Sequence, residues 1–161
     1  MKTFLFFFIV LESAFLLEGS VRHFPLVSIH VDLVWLIVLY LGFFAPLFPG
    51  GLWVMMIGLA QETIGAPLHG ILSLSYLPIY FFLRLTHRDL FFERGFSQVI
   101  WVFLLTVAQK GIEQGLLLWQ GYTPTFDLRT LFPTALLEGV VSLALFPFLK
   151  RGGNISIRDV T

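Results

Sequence analysis

Long apolar runs, separated by short polar or proline-containing stretches, dominate the pattern along the chain. A helix that crosses the hydrocarbon core of a bilayer needs about 20 mostly apolar residues, and the runs are close to that length. The pattern therefore predicts an all-α integral membrane protein, a six-transmembrane-helix bundle forming one polytopic domain over residues 1–161. The predicted helices cover residues 3–17, 31–48, 52–68, 70–85, 97–120 and 130–149.

The first run resembles a signal peptide in length, but it lacks the small residues that mark a cleavage site. It passes instead through Phe15, Leu16 and Leu17 into Glu18. We therefore interpret it as a retained helix.

Prolines and glycines mark where the helices end. The segment 46–51 contains two of each, so we predict a tight turn that makes helices two and three antiparallel neighbours. The third and fourth helices are short and meet around Ala66, Pro67 and Gly70, where either a turn or a re-entrant segment fits.

Composition agrees with the helix pattern. The chain is 57% hydrophobic and 12% charged, and its mean hydropathy is +0.88, whereas soluble domains are about 25% charged. The net charge is zero and no basic run occurs, which excludes a nucleic-acid partner. The absence of cysteine excludes disulfides, thiolate metal sites and cysteine nucleophiles.

The basic residues predict the orientation, because loops on the cytoplasmic side carry an excess of Lys and Arg. Only Arg22 and Arg129 fall on the side opposite the two termini, and Lys110 lies within a helix. Seven fall on the side of the termini, which we predict to be cytoplasmic: Lys2, Arg84, Arg88, Arg94, Lys150, Arg151 and Arg158.

Five charged residues fall inside predicted helices, namely Glu12, Glu62, Lys110, Glu113 and Glu138. Each costs at least roughly 2.5 to 3.5 kcal/mol in hydrocarbon, so each needs a partner, a cavity or a neutral form. Lys110 and Glu113 are close enough in sequence to form an i,i+3 ion pair.

Polar residues also follow one side of each of the last two helices. At about 100 degrees per residue, the set in helix five falls within an arc of about 140 degrees; it comprises Thr106, Gln109, Lys110, Glu113 and Gln114. The set in helix six is spaced every four residues and comprises Thr130, Thr134, Glu138 and Ser142. Beside it, Ala135 and Gly139 form a small-xxx-small pair that allows close helix packing.

Two interpretations of these polar stripes stay open. Either the stripes bond helix to helix, with largely neutral carboxyls, or they line a cavity for a solute, a proton or a partner's polar side chain. Glu62 has two corresponding roles, since it either caps backbone groups freed by Pro67 or reaches the polar faces of helices five and six.

Enzyme signatures are missing from the sequence: there is no HExxH, no Gly-x-Ser-x-Gly, no P-loop and no Gly-x-Gly-x-x-Gly. The histidines fall at or near predicted helix ends, which favours interfacial roles over metal ligation; they are His23, His30, His69 and His87. We expect no catalytic residue, no metal and no cofactor.

Three stretches resemble the bacterial rod shape-determining protein MreD family. They are His-Val-Asp-Leu over 30–33 leading to Val-Leu-Tyr-Leu-Gly over 38–42, the segment GLAQETIGAPLHG over 58–70, and Leu-Leu-Glu-Gly over 136–139 running to Phe-Pro-Phe-Leu-Lys-Arg over 146–151. The size, the six short helices and the predicted cytoplasmic termini are also similar to that family.

The resemblance implies a non-enzymatic scaffold of the cell-elongation machinery in the bacterial inner membrane, required for peptidoglycan synthesis and rod shape. It implies an MreC-like bitopic periplasmic partner and, through it, MreB filaments, a RodA-type glycosyltransferase and a class B penicillin-binding protein. The family's fold is thought to resemble the substrate-capturing subunits of energy-coupling-factor transporters. The residues we associate with packing or partner binding are Glu62, Pro67, Gly70, Gln109, Lys110, Glu113, Glu138 and Gly139.

Two other functions stay open. In a vitamin-type transporter subunit, the polar residues of helices five and six would form a small pocket; the candidates are Gln109, Lys110, Glu113, Gln114 and Glu138. An intramembrane hydrolase would require two of Glu62, Glu113 and Glu138 to meet at a fixed separation.

Overall fold

Residues 8–16, 31–65, 70–86, 95–123 and 127–153 are described by a computed structural model of the chain. Within these ranges the protein is helical and has no strand, as predicted. The helices are α1 (8–16), α2 (Leu33–Phe44), α3 (Leu47–Gly65), α4 (Ile71–Thr86), α5 (Gly95–Trp119) and α6 (Leu128–Gly153).

Helix α2 is the centre of the fold. It begins after Asp32, whose side chain accepts a hydrogen bond from the backbone N–H of Trp35, as an N-cap does. It ends at Ala45 because Pro46 cannot continue the hydrogen-bond ladder. Ten of its 12 residues are buried, and it contacts α3, α4 and α6. The predicted helix over 31–48 was therefore too long at both ends.

The turn between α2 and α3 is shorter than predicted. Pro49 lies in the first turn of α3, where a backbone N–H has no intrahelical partner and proline is tolerated. The N–H of Gly50, the next residue, donates to the carbonyl of Pro46 at 2.9 Å. Gly50 packs against Tyr80 of α4, so a side chain at position 50 would collide with that ring. The Tyr80 hydroxyl lies 3.0 and 3.1 Å from the carbonyl oxygens of Pro46 and Leu47. Close helix packing, rather than a turn, therefore accounts for the glycine.

Helices α3 and α4 form an antiparallel hairpin. A Cβ atom at Gly58 would lie 2.7 Å from the Cα of Ser73, so the two backbones are in direct contact there. The Ser73 hydroxyl lies 3.4 Å from the carbonyl oxygen of Met55. The connecting residues 66–69, including Pro67, lie outside the described residues, so the choice between a turn and a re-entrant segment stays open. The four histidines also lie outside the described residues.

Helices α5 and α6 form the most extensive helix pair and differ from their predicted bounds by only a few residues. Both are long and apolar enough to cross a membrane, by length and composition, and most residues in their apolar windows are not buried. Helices α2 and α4 are apolar but shorter, with 12 and 16 residues.

The surface of α3 to α6 is rich in exposed large apolar side chains. Leucine and phenylalanine side chains project outward along each of these helices, and Phe48, Leu85 and Phe96 are exposed by 87%, 76% and 79%. The described interior, by contrast, contains carboxyl, amide and hydroxyl side chains: Gln61, Glu62, Ser73, Ser75, Gln98, Thr106, Gln109, Glu138 and Ser142. Most buried side chains are apolar as well, but exposed large apolar groups and buried polar groups in these numbers are unusual for a protein in water.

Candidate functional site: a buried polar network

The carboxyl group of Glu138 lies at the centre of a chain of hydrogen bonds. Its Oε2 accepts from the hydroxyl of Thr106 at 2.8 Å, and its Oε1 accepts from the backbone N–H of Asp32 at 3.1 Å. The Thr106 oxygen in turn accepts from the indole N–H of Trp35 at 2.9 Å. Because an indole nitrogen can only donate, the single hydroxyl proton of Thr106 is directed to Glu138.

Asp32 extends this chain of bonds to α3 and α4. Its Oδ1 accepts from the backbone N–H of Trp35 at 2.6 Å, and its Oδ2 lies 3.5 Å from the amide nitrogen of Gln61. The Gln61 oxygen accepts from the hydroxyl of Tyr76 at 2.6 Å, and the Tyr76 ring stacks on Trp35 with centroids 5.2 Å apart. Hydrogen bonds therefore join α2, α3, α4, α5 and α6. We call the set the central network: Asp32, Trp35, Gln61, Tyr76, Thr106 and Glu138.

A second cluster lies further along α5. The amide nitrogen of Gln109 lies 3.4 Å from the Ser75 hydroxyl of α4 and 3.1 Å from a carboxylate oxygen of Glu113. The same Glu113 oxygen forms the predicted ion pair with Lys110, at 2.8 Å. The Lys110 side chain is 35% exposed and that of Glu113 is 14% exposed. The polar stripe of α5 thus faces the interior at Gln109 and approaches the surface at Lys110.

The contact between α5 and α6 depends on the predicted small residues. A Cβ atom at Gly139 would lie 2.9 Å from both the carbonyl oxygen and a methyl carbon of Val99, so the helices meet there without room for a side chain. One turn away, Gln98 donates to Ser142 at 3.0 Å, and Ser142 donates to the Gly139 carbonyl at 2.6 Å. Ala135 is fully buried on the same side. On the opposite face of α5, a Cβ atom added at Gly111 or Gly115 would meet no other side chain or helix within 4 Å.

Glu62 caps the start of α4. Its two carboxylate oxygens accept from the backbone N–H groups of Gly70 and Leu72, at 2.6 and 2.5 Å. A carboxylate at this position satisfies donors that have no intrahelical partner and interacts favourably with the positive end of the helix dipole. Gly70 adopts a φ of +86°, which a glycine reaches without strain. Of the two predicted roles for Glu62, the described contacts support capping.

The three glutamates considered for hydrolytic chemistry make different contacts. Glu62 binds the α4 backbone, Glu113 binds Lys110 and Gln109, and Glu138 binds Thr106 and Asp32. Among the described residues, no hydrogen bond links two of these glutamates, and no group of three metal-ligating side chains occurs. Glu12 lies exposed on α1.

Sequence reasoning missed four members of the central network: Asp32, Trp35, Gln61 and Tyr76. Asp32 lies at the start of a predicted helix and was not counted among the buried acids, although Asp directly before an apolar helical run is a typical N-cap signal. Gln61 lies on α3, whose apolar residues cover every face, so periodicity gave no signal for it.

Comparison with protein-family models, with curated proteins and with solved structures finds no match for this chain.

Proposed function

We propose that this chain is a multi-pass protein of the bacterial inner membrane, with six membrane-embedded helices and both termini in the cytoplasm. The distribution of side chains supports the membrane location, because large apolar groups cover the outside of α3 to α6 while polar groups bond one another inside. The orientation rests on the excess of Lys and Arg on the side of the termini. Lipid is the solvent in which that arrangement is stable. The short helix α2 fits this proposal because the longer helices enclose it and remove it from lipid.

The orientation can be tested directly because the chain has no cysteine, so single cysteines need no background removal. Thr123 follows α5 and Lys150 lies near the end of α6, and both are exposed. A membrane-impermeant maleimide should label Thr123→Cys in intact cells and Lys150→Cys only after the membrane is opened. The reverse pattern would invert the orientation, and labelling of both in intact cells would show that α6 does not cross the membrane.

Within that membrane, we assign the chain the role of a non-enzymatic scaffold of the cell-elongation complex, as its resemblance to the MreD family implies. The central network supports a scaffold because its polar groups bond other protein groups and so fix five helices relative to one another. A rigid bundle of this kind presents a constant surface to partner helices and requires no reacting group.

The scaffold role is tested by its partner and by cell shape. Purification in mild detergent should recover an MreC-like bitopic protein, and depletion should turn rod-shaped cells round. A tagged multi-pass protein of similar size and unrelated function serves as the purification control. Normal rods after clean deletion, in a cell with no second copy, would refute the role.

A transporter substrate-binding subunit is the second candidate, and one observation favours it. The side-chain oxygen of Gln114 is buried and has no hydrogen-bond partner among the described residues, and Gln114 follows Glu113 of the ion pair. A solute with a hydrogen-bond donor would satisfy that oxygen. A thermal-shift screen with water-soluble vitamins tests this: a shift that is lost in Gln114→Leu supports transport, and no shift across the panel argues against it.

A further inference from the structure

The end of α5 is closed by a specific hydrogen-bond pattern. The backbone N–H of Tyr122 donates to the carbonyl of Leu117 at 3.0 Å, and the N–H of Gly121 donates to the carbonyl of Leu118, also at 3.0 Å. Gly121 has a φ of +85°. These are the features of a Schellman motif, in which a left-handed glycine turns the chain back over the last helical carbonyls. Two of the last backbone carbonyls of α5, those of Leu117 and Leu118, thus have hydrogen-bond donors from the chain that follows the helix.

Two aromatic side chains project from this closed end. Trp119 is 82% exposed and Tyr122 is 53% exposed, although each has a large apolar ring. Both also have one polar atom, the indole N–H or the phenol hydroxyl. Side chains with an apolar body and one polar tip are enriched at the boundary between lipid headgroups and hydrocarbon, where both parts are accommodated.

The length of α5 agrees with that placement. From Phe96 to Trp119 the helix rises about 35 Å at about 1.5 Å per residue, slightly more than the hydrocarbon thickness of about 30 Å. A modest tilt brings one end of α5 to each boundary. The helix end that carries Trp119 then lies at the boundary, and not within hydrocarbon.

We infer that Trp119 and Tyr122 anchor the end of α5 in the outer headgroup layer of a phospholipid bilayer, with the Schellman turn holding both rings at that depth. The inference rests on the proposed membrane location. It also sets the depth of the second polar cluster, because Lys110 lies nine residues before Trp119, or about 13 Å along the helix. The ion pair of Lys110 with Glu113 is therefore within the hydrocarbon.

The experiment measures how α5 responds to bilayer thickness. A nitroxide label is attached to Leu118→Cys, at an exposed position beside the anchor, and in a second protein to Ile100→Cys, near the other end of α5. Oxygen and nickel-chelate accessibility give the label depths in short-chain and long-chain phosphatidylcholine. The same labels are placed in the Trp119→Leu/Tyr122→Leu protein and in a control, Phe82→Leu, which removes an exposed aromatic ring from α4.

With the anchor intact, the label at position 118 should keep its depth below the phosphates in both bilayers. The Phe82→Leu control should give the same result. Without the anchor, the label should sink by about half of the added thickness, because the mismatch is then shared between the two helix ends. A label at 118 that sinks equally with and without the aromatic pair, or that stays in place without it, overturns the inference. A label at position 100 that is water-exposed in the long-chain bilayer as well would instead refute the membrane location itself, because position 100 lies only about 27 Å from position 118 along α5.

Discussion

Replacing Thr106 with valine removes the hydroxyl that connects α2 to α6 and changes the side-chain shape very little. The hydroxyl accepts from Trp35 and donates to Glu138, so the substitution breaks both hydrogen bonds and leaves the indole N–H and one carboxyl oxygen without that partner. Thr106 is 1% exposed, so water does not replace the lost bonds. We expect a large loss of stability for a change of one atom.

The size of the loss follows from measured hydrogen bonds between membrane helices. Each is worth about 0.6 kcal/mol on average and up to about 1.7 kcal/mol. Two such bonds predict a loss of about 1 to 3 kcal/mol, or roughly 5- to 150-fold in the folding equilibrium, since about 1.4 kcal/mol corresponds to a factor of ten.

The free energy of unfolding is measured by titrating the protein with SDS in mixed micelles and following helicity. The control is Thr63→Val, because Thr63 is exposed and its hydroxyl bonds only the carbonyl of Ala60 in its own helix, at 2.7 Å. Trp35→Phe removes the indole N–H and keeps an aromatic ring, so combining it with Thr106→Val should cost less than the sum of the two changes. A Thr106→Val protein no less stable than Thr63→Val would refute the proposed role of the hydroxyl.

Three further substitutions test other contacts. Gly139→Ala should destabilise the bundle because its new methyl group meets the backbone of α5. Its control, Gly111→Ala, should be neutral or stabilising by up to about 1 kcal/mol. The free energies of unfolding of the two proteins in SDS are compared. Glu62→Leu should lower stability by about 1 to 3 kcal/mol because two backbone donors lose their acceptor. Glu62→Gln keeps one acceptor oxygen and should lose less stability. Equal losses in the two proteins would contradict the capping role. Lys110→Met should destabilise the protein more than Lys110→Met combined with Glu113→Gln, because only the single substitution leaves a carboxylate without its ion-pair partner. Equal free energies of unfolding for the two proteins would contradict this.

Helix positions and the polar face of α5 could be predicted because periodicity is a property of one helix at a time. The ion pair of Lys110 with Glu113 followed from their spacing, and the close approach at Gly139 followed from the small-xxx-small pattern. The hydrogen bond from the Asp32 amide to Glu138 of α6 could not be predicted, because it joins residues 106 positions apart.

The structure of residues 46–51 also depends on contacts between residues far apart in sequence. Proline and glycine are turn residues by local preference, and the sequence contains no sign that a tyrosine 30 residues after Gly50 packs over that glycine. Tertiary packing thus converted an expected turn into the first turn of α3. The central network was missed for a similar reason, since its six members come from five helices and no two of them are consecutive in sequence.

The burial of α2 has a consequence for how the protein is made. Asp32 and Glu138 are separated by 106 positions, so the ribosome completes α2 long before the acceptor for its first amide exists. During that interval α3, α4 and α5 are made while α6 is still missing, although ten residues of α2 are enclosed in the finished bundle. The contact between α2 and α6 therefore forms only late in synthesis, after α6 has been made.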